Sequence, residues 1–133
     1  MINFTSKPRY MLDDLIRLVH ALRAPGGCPW DGSQTNRSLL KPLLEETYEY
    51  IDAVETDDRE NMREELGDML FAAVRVASTL DKDPEQALHS ACEKFIRRFT
   101  AMEQSILAEG RTLEEVSREE LLASWDAQKR NGR

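Results

Sequence analysis

A chain of 133 residues with 41% hydrophobic and 32% charged residues, only six Gly and five Pro, has the makeup of one folded helical domain. That balance excludes a disordered or fibrous chain. The net charge of −7, with a pI near 4.9, excludes a general nucleic-acid binder, since no broad basic surface is present to displace counterions.

The first nine residues lack a signal-peptide core, and the apolar runs are too short to cross a bilayer, so a cytoplasmic protein without a membrane partner is expected. Cys28 and Cys92 have no zinc-type spacing and read as two thiols in a reducing compartment. Met11, Leu12, Leu15, Ile16, Leu18, Val19 and Leu22 recur at three-and-four spacing, which predicts an amphipathic helix over 10–23. Ala24-Pro25-Gly26-Gly27-Cys28-Pro29 ends it, and a loop through Trp30 and Asp31 to Asn36 is expected, with Trp30 packed in the core.

A second helix is predicted over 38–56, capped by Ser38. Its projection places Leu40, Leu43, Leu44, Thr47, Ile51 and Val54 on a packing face, with Glu45, Glu46, Glu49 and Asp52 opposite. Asp57-Asp58 supplies a turn and cap for a third helix reaching Leu80, whose stripe is Met62, Leu66, Met69, Leu70, Ala73, Val74, Ala77 and Leu80. Glu65 and Asp68 border that stripe, where the helix meets a neighbour. Asp83-Pro84 starts a fourth helix that ends before Gly110; capping boxes at Thr112 and Ser117 introduce a short turn and a last helix to Arg130. No strand-like alternation occurs. The expected fold is all-α, an antiparallel helical bundle.

Two acid clusters dominate the chemistry, Glu45-Glu46-Thr47-Tyr48-Glu49 and Glu64-Glu65-Leu66-Gly67-Asp68. Acids three and four apart share a helix side and repel by about 0.2–0.5 kcal/mol per pair unless a partner compensates. On neighbouring helices they can converge on one point, and carboxylates without His or Cys favour Mg²⁺ or Mn²⁺. Glu60, Glu64, Glu114, Glu115, Glu119 and Glu120 read as an ordinary solvated face. Lys94 and Arg98 share another helix face, with Phe95 and Phe99 directed to the core. They suit either the oxyanions of a polyphosphate or pairing with nearby acids. Trp125 and Lys129 stand one turn apart, a spacing open to helix docking or base stacking. His20 and His89 have no catalytic company.

The run Gly27-Cys28-Pro29-Trp30-Asp31, then Leu44-Glu45-Glu46-Thr47-Tyr48-Glu49, Glu64-Glu65-Leu66-Gly67-Asp68 and Lys94-Phe95-Ile96-Arg97-Arg98-Phe99, resembles the MazG-type nucleoside triphosphate pyrophosphohydrolases over about residues 10–130. The resemblance implies a single MazG-like domain over 1–133 with flexible ends, completed as a homodimer or homotetramer. It also implies Mg²⁺-dependent cleavage of an NTP or dNTP to the monophosphate and pyrophosphate, for house-cleaning or nucleotide-pool control. The implied metal ligands are Glu46, Glu49, Glu65 and Asp68, with Glu45 or Glu49 accepting a proton. Lys94, Arg97 and Arg98 match triphosphate positions, and Trp125 and Lys129 match positions near the nucleotide. Asn61 replaces a Lys that some members carry, and many members hold two such domains. A relative narrowed to dUTP, dCTP or phosphoribosyl-ATP, a non-catalytic nucleotide-binding dimerisation module, and a purely structural bundle are the alternatives.

Overall fold

The computed structural model describes residues 2–80 and 84–132, and every regular element among them is helical. The elements are α1 (Leu12–Arg23), α2 (Pro29–Ser33), α3 (Leu40–Glu55), α4 (Arg59–Ala77), α5 (Pro84–Ala108), a 3₁₀ turn at Leu113–Glu115, and α6 (Arg118–Asn131). The chain divides into two compact units, Met1–Pro84 and Glu85–Arg133.

In the first unit α1 packs on α2 and α4, and α3 lies along α4. The start of α1 is fixed by Asp14, whose carboxylate accepts from the Met11 amide at 2.8 Å and from Arg17 at 3.0 Å and also bonds Lys7. The Lys7 ammonium, the Met11 amide and Arg17 hold that carboxyl well below the usual carboxylate range. After α1 the chain folds back so tightly that a Cβ on Gly27 would lie 2.4 Å from the Ala21 carbonyl oxygen. The expected loop through Trp30 is instead the short helix α2. Pro29 occupies its first turn, where a missing N–H costs nothing, and Arg23 pins it by donating to the carbonyls of Asp31 at 2.7 Å and Gln34 at 3.1 Å.

Ser38 does not cap α3. Its hydroxyl accepts from the Thr35 amide at 2.8 Å and donates to Gln34 Oε1 at 2.9 Å, closing a turn at 36–39, so the helix begins two residues later than predicted. Thr56–Asp58 connects α3 to α4. Asp57 adopts the left-handed conformation that Asp tolerates (φ 54°), and Asp58 caps α4 by accepting from the Asn61 amide at 3.1 Å. Such a cap contributes roughly 0.5–2 kcal/mol. α4 stops at Ala77 rather than Leu80, where Ser78 and Thr79 donate their hydroxyls to the Arg75 and Val76 carbonyls. The predicted Asp83 cap of the next helix lies outside the described residues.

The packing faces differ most from expectation. Leu40 (49% exposed), Leu44 (53%), Leu66 (48%) and Leu70 (52%), all assigned to buried stripes, face outward in the single chain. Leu39, Ala53 and Ala72 are buried instead, and Glu46 and Glu65 are half-buried. Periodicity locates an apolar face without saying what covers it, and small residues let two helices approach along a different line.

The second unit packs α5, the 3₁₀ turn and α6 around Met102, Ile106 and Val116, with Phe99, Leu113, Leu121 and Trp125 against them. Gly110 turns the chain after α5 at φ 78°, and Ser117 caps α6 by accepting from the Glu120 amide at 3.2 Å. The Glu120 carboxylate accepts from Arg111 at 2.9 Å.

Candidate metal centre

Glu46 and Glu49 project from one side of α3 toward Glu65 of α4, and one oxygen from each carboxylate lies within 4.8 Å of the others. Glu46 and Glu65 are half-buried and Glu49 is exposed, so the cluster opens to solvent on one side. Oε2 of Glu46 and Oε2 of Glu65 are buried and have no hydrogen-bond partner among the described residues. A buried anionic oxygen left unpartnered costs free energy, and three carboxylates this close repel one another by several kcal/mol at an effective dielectric near 20.

The titration behaviour carries the same strain. Burial, followed by the charges of Glu49 and Asp68, raises the Glu46 carboxyl above the usual range. Glu65 is pushed up to about 7, first by burial, then by the adjacent Glu49 carboxyl and the charges of Glu49, Asp68 and Glu46. Below about pH 7 Glu65 therefore holds its proton. The donors are all oxygen, which fits a hard divalent ion such as Mg²⁺ or Mn²⁺, and the two orphaned buried oxygens fit its ligation.

Asp68, one turn beyond Glu65, is not among the three converging groups. It lines, with Glu46, a cavity of about 100 Å³ whose other walls are Leu39, Pro42, Phe71, Ala72 and Arg75. Glu45 stands outside the cluster on the solvent side, 4.0 Å from Lys41. Trp30, expected in the core, is 53% exposed; its ring lies 5.7 Å from the Arg75 guanidinium, which sits 4.7 Å from the Phe71 ring. Arg75 Nε in turn approaches Oδ1 of Asp31 at 3.2 Å, an ion pair whose angle falls short of a hydrogen bond. Asp31 is the one charged side chain in the buried set of described residues.

Sequence reasoning did not pick out Arg75. Its signal was present: Glu65, Asp68, Ala72 and Arg75 fall at i, i+3, i+7 and i+10, a single face of α4.

In the second unit Lys94 and Arg97 are exposed, while Arg98 is half-buried with its Nε unpartnered. Phe99 reaches the core, but Phe95 is 53% exposed and stacks on Phe99 at 5.8 Å and against Trp125 at 5.3 Å. Trp125 thereby ties α6 to α5, and Lys129 lies on the exposed side one turn on.

Residues 34–102 match the family described as the MazG nucleotide pyrophosphohydrolase domain. The chain is 34% identical over 125 residues to a nucleoside triphosphate pyrophosphohydrolase of Mycolicibacterium smegmatis, covering 92% of this chain and 37% of that protein. It is 33% identical over 116 residues to the Escherichia coli K12 protein of the same name, covering 86% of this chain and 43% of that one. It thus spans about two-fifths of the length of these curated relatives. Its fold is similar to the crystal structure of a MazG-related protein from Thermotoga maritima, with a TM-score of 0.63 and 30% identity, covering 89% of this chain and 98% of that one.

Proposed function

The chain belongs to the MazG nucleotide pyrophosphohydrolase family, and from that membership we propose that it hydrolyses nucleoside triphosphates to the monophosphate and pyrophosphate. The observation that carries the reading is the convergence of Glu46, Glu49 and Glu65 with two buried, unpartnered carboxylate oxygens. In this reading residues 1–133 form one MazG-like domain, and Glu46, Glu49, Glu65 and Asp68 hold Mg²⁺, for which Mn²⁺ can substitute. When bound, the ion supplies Lewis-acid polarisation of the phosphoryl oxygens and of the attacking water.

The chain's own groups do the rest. Glu49, exposed at the open side of the cluster, takes the proton from the water that attacks the α-phosphorus. Glu45, farther out beside Lys41, is an assistant that can relay it to solvent. Lys94, Arg97 and Arg98 bind the triphosphate and offset the charge of departing pyrophosphate, Arg98 with an Nε that has no partner among the described residues. Trp125 and Lys129 bound the nucleotide site. No covalent nucleophile is required.

We further assign an antiparallel bundle completed by a second copy, as homodimer or homotetramer. The outward Leu40, Leu44, Leu66 and Leu70 support this, because large apolar side chains exposed on two packed helices need a cover. The free cysteines Cys28 and Cys92 suit a reducing cytoplasm, and no helix among the described residues is long and apolar enough to cross a membrane. Control of the nucleotide pool by removal of surplus or damaged triphosphates is the role such a reaction serves.

The test is a panel of NTPs and dNTPs incubated with Mg²⁺ or with a chelator, products identified by ³¹P NMR. Monophosphate and pyrophosphate in equal amounts, only with the metal, is the expected outcome. Release of orthophosphate instead would overturn the reaction type, and turnover confined to dUTP or dCTP would narrow the substrate.

A further inference from the structure

Seven residues beyond Asp68 on α4, a rise of about 10 Å, Arg75 lines the same cavity as Glu46 and Asp68. Resting on the nucleotide reading above, we propose that Arg75 is a specificity-determining residue that reads the keto edge of the substrate's base, with a 6-oxopurine preferred.

Arg75 is not the counterion of the acid cluster. It lines the same cavity as Glu46, yet Glu46 Oε2 stays buried and unpartnered, and the ion pair Arg75 makes is with Asp31 on the far side. Asp31 is buried, and the rings of Phe71 and Trp30 flank the guanidinium at 4.7 and 5.7 Å, so the group is fixed on three sides before any ligand arrives. With Nε turned to Asp31, the Nη donors are what a ligand can meet.

The cavity's other walls are Leu39, Pro42, Phe71 and Ala72, apolar surface on which a flat heterocycle can lie. The volume of about 100 Å³ is several times the roughly 10–15 Å³ that one ordered water needs, room for a ring. The axial rise from Asp68 to Arg75 matches the span from a nucleotide's α-phosphorus to the far edge of its base. Arg carries donors only, in a fork that fits the O6 and N7 acceptors of guanine or hypoxanthine; adenine would set its 6-amino donor against them.

The test compares calorimetric affinities for GMP, IMP and AMP, together with kcat/KM for GTP and ATP, in the wild type and in Arg75→Met and Arg75→Lys. The wild type is expected to favour the 6-oxopurine roughly 5- to 150-fold, the worth of one bidentate contact. Arg75→Met is expected to bring that ratio to within about threefold, and Arg75→Lys, which keeps donors but loses the planar fork, to lower it by at least about threefold. Arg75→Lys leaves Asp31 its partner and so decides the matter if Arg75→Met fails to fold. A wild type without the preference, or an Arg75→Lys protein that weakens every nucleotide equally and keeps the ratio, would overturn the proposal. A monophosphate preference that persists in a protein turning over no triphosphate would sink the hydrolase reading and leave this one standing.

Discussion

Glu49→Gln is expected to lower kcat for triphosphate hydrolysis by roughly 10²–10⁴-fold, the usual worth of a positioned proton acceptor, without loss of helical content. Gln preserves the size of the side chain on the exposed side of α3 while removing its charge and basicity. It also relieves repulsion with Glu46 and Glu65, whose carboxyls Glu49 helps to raise. The metal-free variant should therefore melt no lower than the wild type, which separates a functional role from a structural one. Asp68→Asn is expected to cost as much, through loss of a charge facing the cavity beside Glu46. Steady-state assays with circular dichroism check both, and near-normal turnover in either variant would remove the assignment.

The second large effect is on stability. Glu65 holds its proton up to about pH 7 in the folded chain against an ordinary value of 4.5. Between those values the folded state binds more protons than the unfolded one, so stability falls as pH rises. The contribution of the protonated Glu65 carboxyl is whole below about 4.5 and lost above about 7, and Glu46 acts in the same direction. Asp14 has the opposite sign, since its carboxyl is held low and its stabilisation disappears only on strong acidification, beneath this window. In chelator, the melting temperature is expected to decline from about pH 5 to about pH 7.5. Mg²⁺ should flatten or reverse that decline, because it binds the ionised carboxylates. A melting temperature that rises across the window in chelator would show that the acids do not crowd one another as described.

Much of this was legible in the sequence, and the failures have two causes, one local and one not. Helix type and order followed from the three-and-four periodicity, and Asp58, Ser117 and Gly110 acted at the ends where local chemistry placed them. Local signals failed where a competing partner was equally near: Ser38 had the Thr35 amide and Gln34 in reach and closed a turn instead. The faces failed for a nonlocal reason. Leu40, Leu44, Leu66 and Leu70 are amphipathic stripes in the plain sense, but within one chain it is Ala53 of α3 and Ala72 of α4 that are buried. The pairing of Glu46 and Glu49 with Glu65 was readable because three-residue spacing on two adjacent helices constrains it. Arg75 shares the Glu65 face of α4 in the sequence, but its pairing with Asp31 and Trp30, over forty positions earlier, lies beyond a helical projection.

The claim beneath all of this is that the α3 and α4 acids form a divalent cation site. Calorimetric titration of Mn²⁺ into the wild type and into a Glu46→Gln, Glu65→Gln double variant tests it most directly. The wild type is expected to bind with proton release near neutral pH, as Glu65 ionises, and the double variant to bind at least about tenfold more weakly with no such release. Equal affinity and equal proton release in the two proteins would contradict the account.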